Sequence, residues 1–223
     1  MRFGKISYLN LVPFDIFIKQ YPAPNAFKAF LNHHQSYPAK LNREFLFKRI
    51  DAGFISSIAG IKAHKTQSGI IAYGEVWSVI VIKAESKSDY QSASSNALAK
   101  ILNVKGEVLI GDRALRYKLS GKDYIDLGAK WFEKTHLPFV FGVLCCNKNK
   151  DFYSRISKRF NAKSIKIPQY LLEKYALNSA IKKSDIKAYL KRIHYQITPK
   201  SQCALKRFYR LCRIHRIKIP QRF

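Results

Sequence analysis

The chain has 223 residues and a formal net charge of +27, with 47% hydrophobic and 13% aromatic residues. That balance excludes a disordered tail and allows one large domain or two small ones, each burying its own core. No apolar run approaches the roughly 18 residues of a spanning helix, and the N-terminus lacks a basic leader before an apolar core, so a cytoplasmic protein is expected.

The cysteines and histidines argue against a metal centre. Cys145 and Cys146 are adjacent and Cys203 and Cys212 lie eight residues apart, spacings that fit neither a zinc knuckle nor a redox CxxC, so reduced structural thiols are expected. His33 and His34 are neighbours and diverge in either a helix or a strand. The positive charge is uneven: residues 148–223 hold 21 Lys/Arg against Asp151, Glu173 and Asp185. Such a surface could bind phosphate backbones. Here the lysines alternate with apolar residues at helical spacing, as in Lys187-Ala188-Tyr189-Leu190-Lys191-Arg192-Ile193, and no helix-turn-helix, RNP or zinc-finger pattern accompanies them. A solvated helix face is the expectation, with no nucleic acid as partner.

In chain order, Arg2–Ser7 reads as a strand and Tyr8–Val12 as a polar turn. A helix follows from Pro13, whose fixed φ and missing N–H suit a first turn; Asp15 complements its positive start. Asn10 in that turn either caps the helix or faces a ligand, and spacing leaves both open. After Pro22-Ala23-Pro24, a helix from Pro38 carries Leu41, Phe45 and Leu46. The strand Phe54-Ile55 runs into Ser56-Ser57, read as the start of a helix through Ile58-Ala59-Gly60-Ile61; these serines cap it or hold an anion. Gly69–Tyr73 is a buried strand and Gly74–Lys83 a longer one, with Ser78 among apolar neighbours. Ser92, Ser94 and Ser95 open a second Ser-rich helix with Leu98, Ile101 and Leu102 inward. Glu107–Asp112 is a strand ending in a Gly-Asp turn, Asp126 caps a short helix, and Phe139–Leu144 is a further strand. The rest is helical: Phe152–Phe160, then helices opened by Pro168, by Ser184 with Asp185, and by Thr198 with Pro199.

Five blocks in order carry a resemblance. Ser7-Tyr8-Leu9-Asn10 with Pro13, Asp51-Ala52-Gly53-Phe54-Ile55-Ser56-Ser57, Val76-Trp77-Ser78-Val79, Ile110-Gly111-Asp112-Arg113-Ala114-Leu115, and Asp126-Leu127-Gly128 through Trp131 to Leu137-Pro138-Phe139-Val140-Phe141 resemble the chorismate dehydratases of the futalosine route to menaquinone. Tyr189 and Tyr195 are similar more loosely. The resemblance implies a two-lobed α/β fold of the periplasmic-binding-protein-like type II (Venus flytrap) class, with mixed sheets flanked by helices and a helical C-terminal part. One lobe would comprise residues 1–77 and 138–223, the other residues 78–137. It implies conversion of chorismate to 3-[(1-carboxyvinyl)oxy]benzoate and water, a hydro-lyase reaction without a cofactor. The substrate's own enolpyruvyl carboxylate would take the proton, in keeping with the lack of a well-placed His or Glu. Asn10 would orient the leaving hydroxyl and Ser78 would hydrogen-bond at the reacting ring. Ser56, Ser57, Ser94 and Ser95 would bind the carboxylates, and Asp112 would either touch substrate or order its own turn. The basic helices would lie outside the larger lobe, free to meet a pathway enzyme or a membrane surface. A non-catalytic carboxylate-binding protein using the same cleft is the first competing expectation, and a basic nucleic-acid-binding protein the second.

Overall fold

The computed structural model describes residues 1–33 and 35–221. His34, and with it the expected divergence from His33, lies outside the described residues. Strand β1 (Phe3–Ile6) leads through a 3-10 turn at Leu9–Leu11 into α1 (Val12–Gln20), with Pro13 in its first turn as its geometry favours. Helix α2 (Asn25–His33), β2 (Gln35–Ser36), α3 (Pro38–Leu46), β3 (Ala52–Ser56) and β4 (His64–Ala72) follow, α2 and β2 falling where no element was expected. Next come β5 (Val79–Ile82), α4 (Ala93–Leu102), β6 (Glu107–Ile110), α5 (Gly111–Leu119), β7 (Ile125–Asp126) and α6 (Leu127–Thr135). The chain ends in β8 (Phe139–Cys146), α7 (Lys150–Asn161), α8 (Gln169–Ser179), α9 (Lys183–Leu190), β9 (His194–Gln196) and α10 (Pro199–Ile214).

These strands form two sheets. A six-stranded mixed sheet has the order β2-β1-β3-β8-β4-β9, and a three-stranded antiparallel sheet the order β6-β5-β7. The second is built wholly from residues between 79 and 126, while the first uses chain from before and after it. The backbone therefore leaves the large sheet after β4 and rejoins it at β8, which pairs antiparallel with both β3 and β4. An aromatic cluster fixes α1 and α7 on the large sheet: Phe14 lies 4.9 Å from Phe54, 5.1 Å from Phe160 and 5.7 Å from Phe3, ring centre to ring centre. Trp131 against Phe139 (5.2 Å) and Phe139 against Phe208 (5.0 Å) join α6 and α10 to β8.

Three sequence expectations are corrected. No helix follows Ser56-Ser57: residues 57–63 form successive turns, with Gly60 N–H donating to Ser56 O and Ala63 N–H to Gly60 O. Gly60 packs there so closely that a Cβ would stand 2.9 Å from Cys145 Sγ. The strand expected over Gly74–Lys83 shrinks to Val79–Ile82, because Trp77 adopts φ +62° and turns the backbone between the sheets. Ser184 does not cap α9, whose N-cap is Lys182. By contrast, Asp126 and Thr198 cap α6 and α10 through their side chains as expected. All four cysteines are free; burial pushes the Cys145 thiol up to about 12. Among the described residues no group of three His, Cys, Asp or Glu could hold a metal ion, and no helix is long and apolar enough to cross a membrane.

Buried Asp15 gives the start of α1 a pH signature. Burial pushes its carboxyl up to about 6 from 3.8, outweighing the attraction of Lys5, whose Nζ lies 3.0 Å away. The folded chain then holds a proton that the unfolded chain has released. The stabilisation from this group is therefore fully present below about pH 4 and is lost as pH rises through about 6. In denaturant unfolding, the wild type should lose about 2–3 kcal/mol relative to Asp15→Asn between pH 4 and pH 7. A difference independent of pH would contradict this assignment.

Candidate active site

The passage between the sheets is organised by one carboxylate. Asp126, 7% exposed, accepts N–H bonds from Val76 (3.0 Å) and Trp77 (2.7 Å) on the outgoing segment, and from Ala129 (3.0 Å) in the first turn of α6. Burial raises its pKa above the ordinary carboxylate value against the lowering effect of those N–H donors. The next residue along the outgoing segment is Ser78, whose carbonyl accepts from Gly111 N–H at 2.8 Å. Outside, the Trp77 ring is flanked by Lys118 Nζ at 3.8 Å and the Arg192 guanidinium at 3.9 Å, and its indole N–H donates to Glu75.

A cavity lies where the two sheets meet. Ile6, Tyr8, Asn10, Phe54, Ser56 and Phe141 line it from the large sheet and its loops; Ser78, Val79, Ser92, Ser95, Ile110 and Gly111 line it from the crossover and the small sheet. Its free volume of about 70 Å³ is far below the about 300–1,000 Å³ of ordinary ligand pockets. A ring-sized ligand can enter only if the walls part.

Four of the seven site residues expected from the sequence thus come together: Asn10, Ser56, Ser78 and Ser95. The other three stand behind the wall. Ser57 is fully buried and its hydroxyl donates to Val140 O; Ser94 Oγ accepts from Ile58 N–H at 3.1 Å. Asp112 lies in the first turn of α5, where burial raises its pKa and the nearby Leu9 N–H opposes that rise. That places it against the Asn10 loop, a contact distinct from the ordering of its own turn. Of the three serines expected to open α4, Ser92 is the cap, its hydroxyl accepting from Ser95 N–H.

The hydrogen bonds give the wall a direction. Ser56 Oγ accepts from Asn42 Nδ2 (2.7 Å), Ser78 Oγ from the Tyr189 hydroxyl (2.8 Å) and Ser95 Oγ from the Ser92 hydroxyl (2.7 Å). Each serine oxygen is thus engaged as an acceptor by the protein, leaving its own hydrogen for a ligand. Asn10 Oδ1 is the opposite case, a buried acceptor without a hydrogen-bond partner among the described residues. No Lys, Arg, His, Asp or Glu is among the described residues lining the cavity; Tyr8 is, and burial pushes its phenol well above the ordinary value. Such a lining suits anions or carbonyl oxygens bound through neutral donors, in a space where low dielectric strengthens every such bond.

Sequence reasoning passed over Asn42, Gly111 and the part played by Tyr189. Gly111 carried a signal in its position after a strand. It has φ +61°, and a Cβ there would stand 3.0 Å from Tyr8 Cζ, so only glycine lets the Tyr8 ring close on the start of α5. Asn42 sits mid-helix in α3 and nothing in its neighbours marked it. A second cavity, about 640 Å³, lies against β9 and is lined by Lys163, Lys187 and Lys191.

A family model described as menaquinone biosynthesis matches residues 1–107 and 86–213. A chorismate dehydratase from Campylobacter jejuni subsp. jejuni serotype O:23/36 (strain 81-176) is 45% identical over 218 residues, spanning 96% of this chain and 98% of the relative. The chain belongs to the menaquinone biosynthesis family. Among solved structures, a protein from Archaeoglobus fulgidus superposes with a TM-score of 0.71 at 15% identity, over 97% of this chain and 98% of that one. The alkanesulfonate-binding protein of Xanthomonas axonopodis pv. citri gives 0.58 at 11% identity, over 99% and 94%. A Candida albicans gene product described as having the generic periplasmic binding protein structural fold gives 0.51 at 12% identity, over 99% and 96%. The fold of this menaquinone-family chain is therefore periplasmic-binding-protein-like, as its sequence blocks implied.

Because Asp126 bonds both segments that pass between the sheets, its removal tests the construction of the site. Asp126→Ala leaves three N–H groups without their acceptor and should destabilise the protein by about 3 kcal/mol in urea unfolding. A loss below about 1 kcal/mol would show that the crossover is held by something else.

Proposed function

We propose that the protein is a chorismate dehydratase, a hydro-lyase acting in menaquinone biosynthesis. Support comes from membership of the menaquinone family, from the 45% identical dehydratase relative, and from a cavity that matches the substrate's chemistry. The observation that carries the reading is the pairing of inward serine donors with the orphan acceptor Asn10 Oδ1, in a cavity whose described lining holds no side-chain base suited to neutral pH. Chorismate brings two carboxylates, an enol ether and a ring hydroxyl. Its carboxylates would be met by the Ser56 and Ser95 hydroxyls and nearby backbone N–H groups, and its ring hydroxyl by Ser78 and Asn10.

In this reading the substrate supplies its own base. The enolpyruvyl carboxylate takes the proton from the ring carbon that bears the ether. The C–H electron pair becomes the third ring double bond as the bond to the ring hydroxyl breaks, and the departing oxygen takes up a proton and leaves as water. The product is 3-[(1-carboxyvinyl)oxy]benzoate, and aromatisation supplies the driving force. The protein's part is to hold the carboxylate against that C–H bond, to donate to the departing oxygen from Ser78, and to exclude water. Residues 1–77 with 138–223 would form one lobe and residues 78–137 the other. Their parting would admit a ligand too large for the closed cavity, and their closure would complete the donor set.

Incubated with chorismate, the purified protein should yield a product lighter by one water, with a benzoate absorbance replacing that of the diene. Ser78→Ala should slow the reaction about 100-fold or more with the fold intact by circular dichroism. A folded wild type that binds chorismate and returns it unchanged would instead mark a carboxylate-binding protein.

A further inference from the structure

Tyr189 sits on α9, in the lysine-rich part of the chain, outside the lining of the cavity, and the reading above assigns it no part in the reaction. Only 2% of it is exposed. Its hydroxyl donates to Ser78 Oγ at 2.8 Å, and the Asn10 side chain faces the same phenol. Both residues expected to meet the reacting hydroxyl therefore adjoin a single atom. We propose that Tyr189 is a positioning residue that sets the hydrogen-bond direction of Ser78 and Asn10, making that end of the cavity specific for a ligand hydroxyl group. This rests on the dehydratase reading.

A phenol has one hydrogen, and here it goes to Ser78. Asn10 can then meet the phenol only with its Nδ2, which turns Oδ1 the other way; Oδ1 is the atom that has no partner among the described residues. Ser78, accepting from Tyr189, keeps its own hydrogen for the cavity. The donors therefore point in one sense, with Asn10 Nδ2 facing Tyr189, Tyr189 donating to Ser78, and Ser78 facing outward. The two free ends are a donor at Ser78 and an acceptor at Asn10. An alcohol, which donates one hydrogen and accepts another, complements that pair. A carboxylate complements only the donor, and its charge would face Asn10 Oδ1 unfavourably. The sense of the chain stays fixed because burial holds the Tyr189 phenol well above its ordinary pKa, so it keeps its hydrogen. Tyr189 comes from α9 and Ser78 from the entry to the small sheet, so the same bond ties the C-terminal helices to the crossover.

The test is Tyr189→Phe, which keeps the ring and removes the oxygen. With chorismate, kcat should fall about 10- to 100-fold while KM stays within about threefold, and affinity for the dehydrated product, which lacks the ring hydroxyl, should be unchanged. The double variant Ser78→Ala/Tyr189→Phe should be slower than Ser78→Ala by much less than the factor Tyr189→Phe costs alone, since part of what Tyr189 does runs through Ser78. The Asn10 side-chain amide hydrogens, followed by NMR, should exchange faster in the variant. Unaltered kcat, a parallel loss of product affinity, or fully multiplicative losses in the double variant would each overturn the assignment. Amide exchange needs no turnover, so it judges the geometry even if the wild type leaves chorismate intact. An inert wild type would count against the dehydratase reading, and unaltered exchange against Tyr189.

Discussion

A buried carboxylate at the passage between two sheets sets the terms for the rest of the molecule. Asp126 binds the N–H groups of Val76 and Trp77 as the chain leaves the large sheet, and the N–H of Ala129 as the chain starts back. Burying a charged group is costly unless its hydrogen bonds are made, so the carboxylate and the backbone it holds must stay together. Ser78 is the next residue, and its position follows from that constraint. Its carbonyl then receives Gly111 N–H, and its hydroxyl receives Tyr189. One interaction thus fixes where the small sheet begins and where the Ser78 hydroxyl stands.

The chemistry of the cavity comes from direction more than from charge. The chain carries +27 overall, yet the described lining holds no Lys or Arg. The serines are polarised inward by Asn42, Tyr189 and Ser92, groups that stand with or behind them, and Asn10 leaves a single acceptor. In the proposed elimination, neutral directed donors would hold the carboxylates and the departing oxygen without bringing a competing base close to the product. Lysines stand elsewhere, with Lys163, Lys187 and Lys191 at the cavity against β9. Separation of the two surfaces is what the helical spacing of those lysines implied.

Much of this was legible in the residues because local rules and tertiary structure agreed. Pro13 with Asp15 marked α1, Asp126 and Thr198 marked their helices, and apolar runs marked β4 and β8. The fold class and four of the cavity residues followed from motif blocks. The misses share a cause: the deciding partner is remote in sequence. Ser57 and Ser94 look like helix-start donors until Val140 O and Ile58 N–H take up their hydroxyls. The apolar run Gly74–Lys83 reads as one strand until Asp126, about 50 residues away, bends it at Trp77. Tyr189, more than 100 residues from Ser78, lies on the buried face of a helix whose lysines drew the eye to solvent.

The central claim is that the ligand is held between the two sheets, with its hydroxyl-bearing carbon against Ser78 and Asn10. A crystal structure of Ser78→Ala with chorismate bound tests it most directly. The account predicts the ring between Asn10 and residue 78, with the carboxylates on Ser56 and Ser95 and the sheets parted further than in the free protein. A ligand seated instead in the lysine-lined cavity against β9, with the inter-sheet cavity empty, would contradict it.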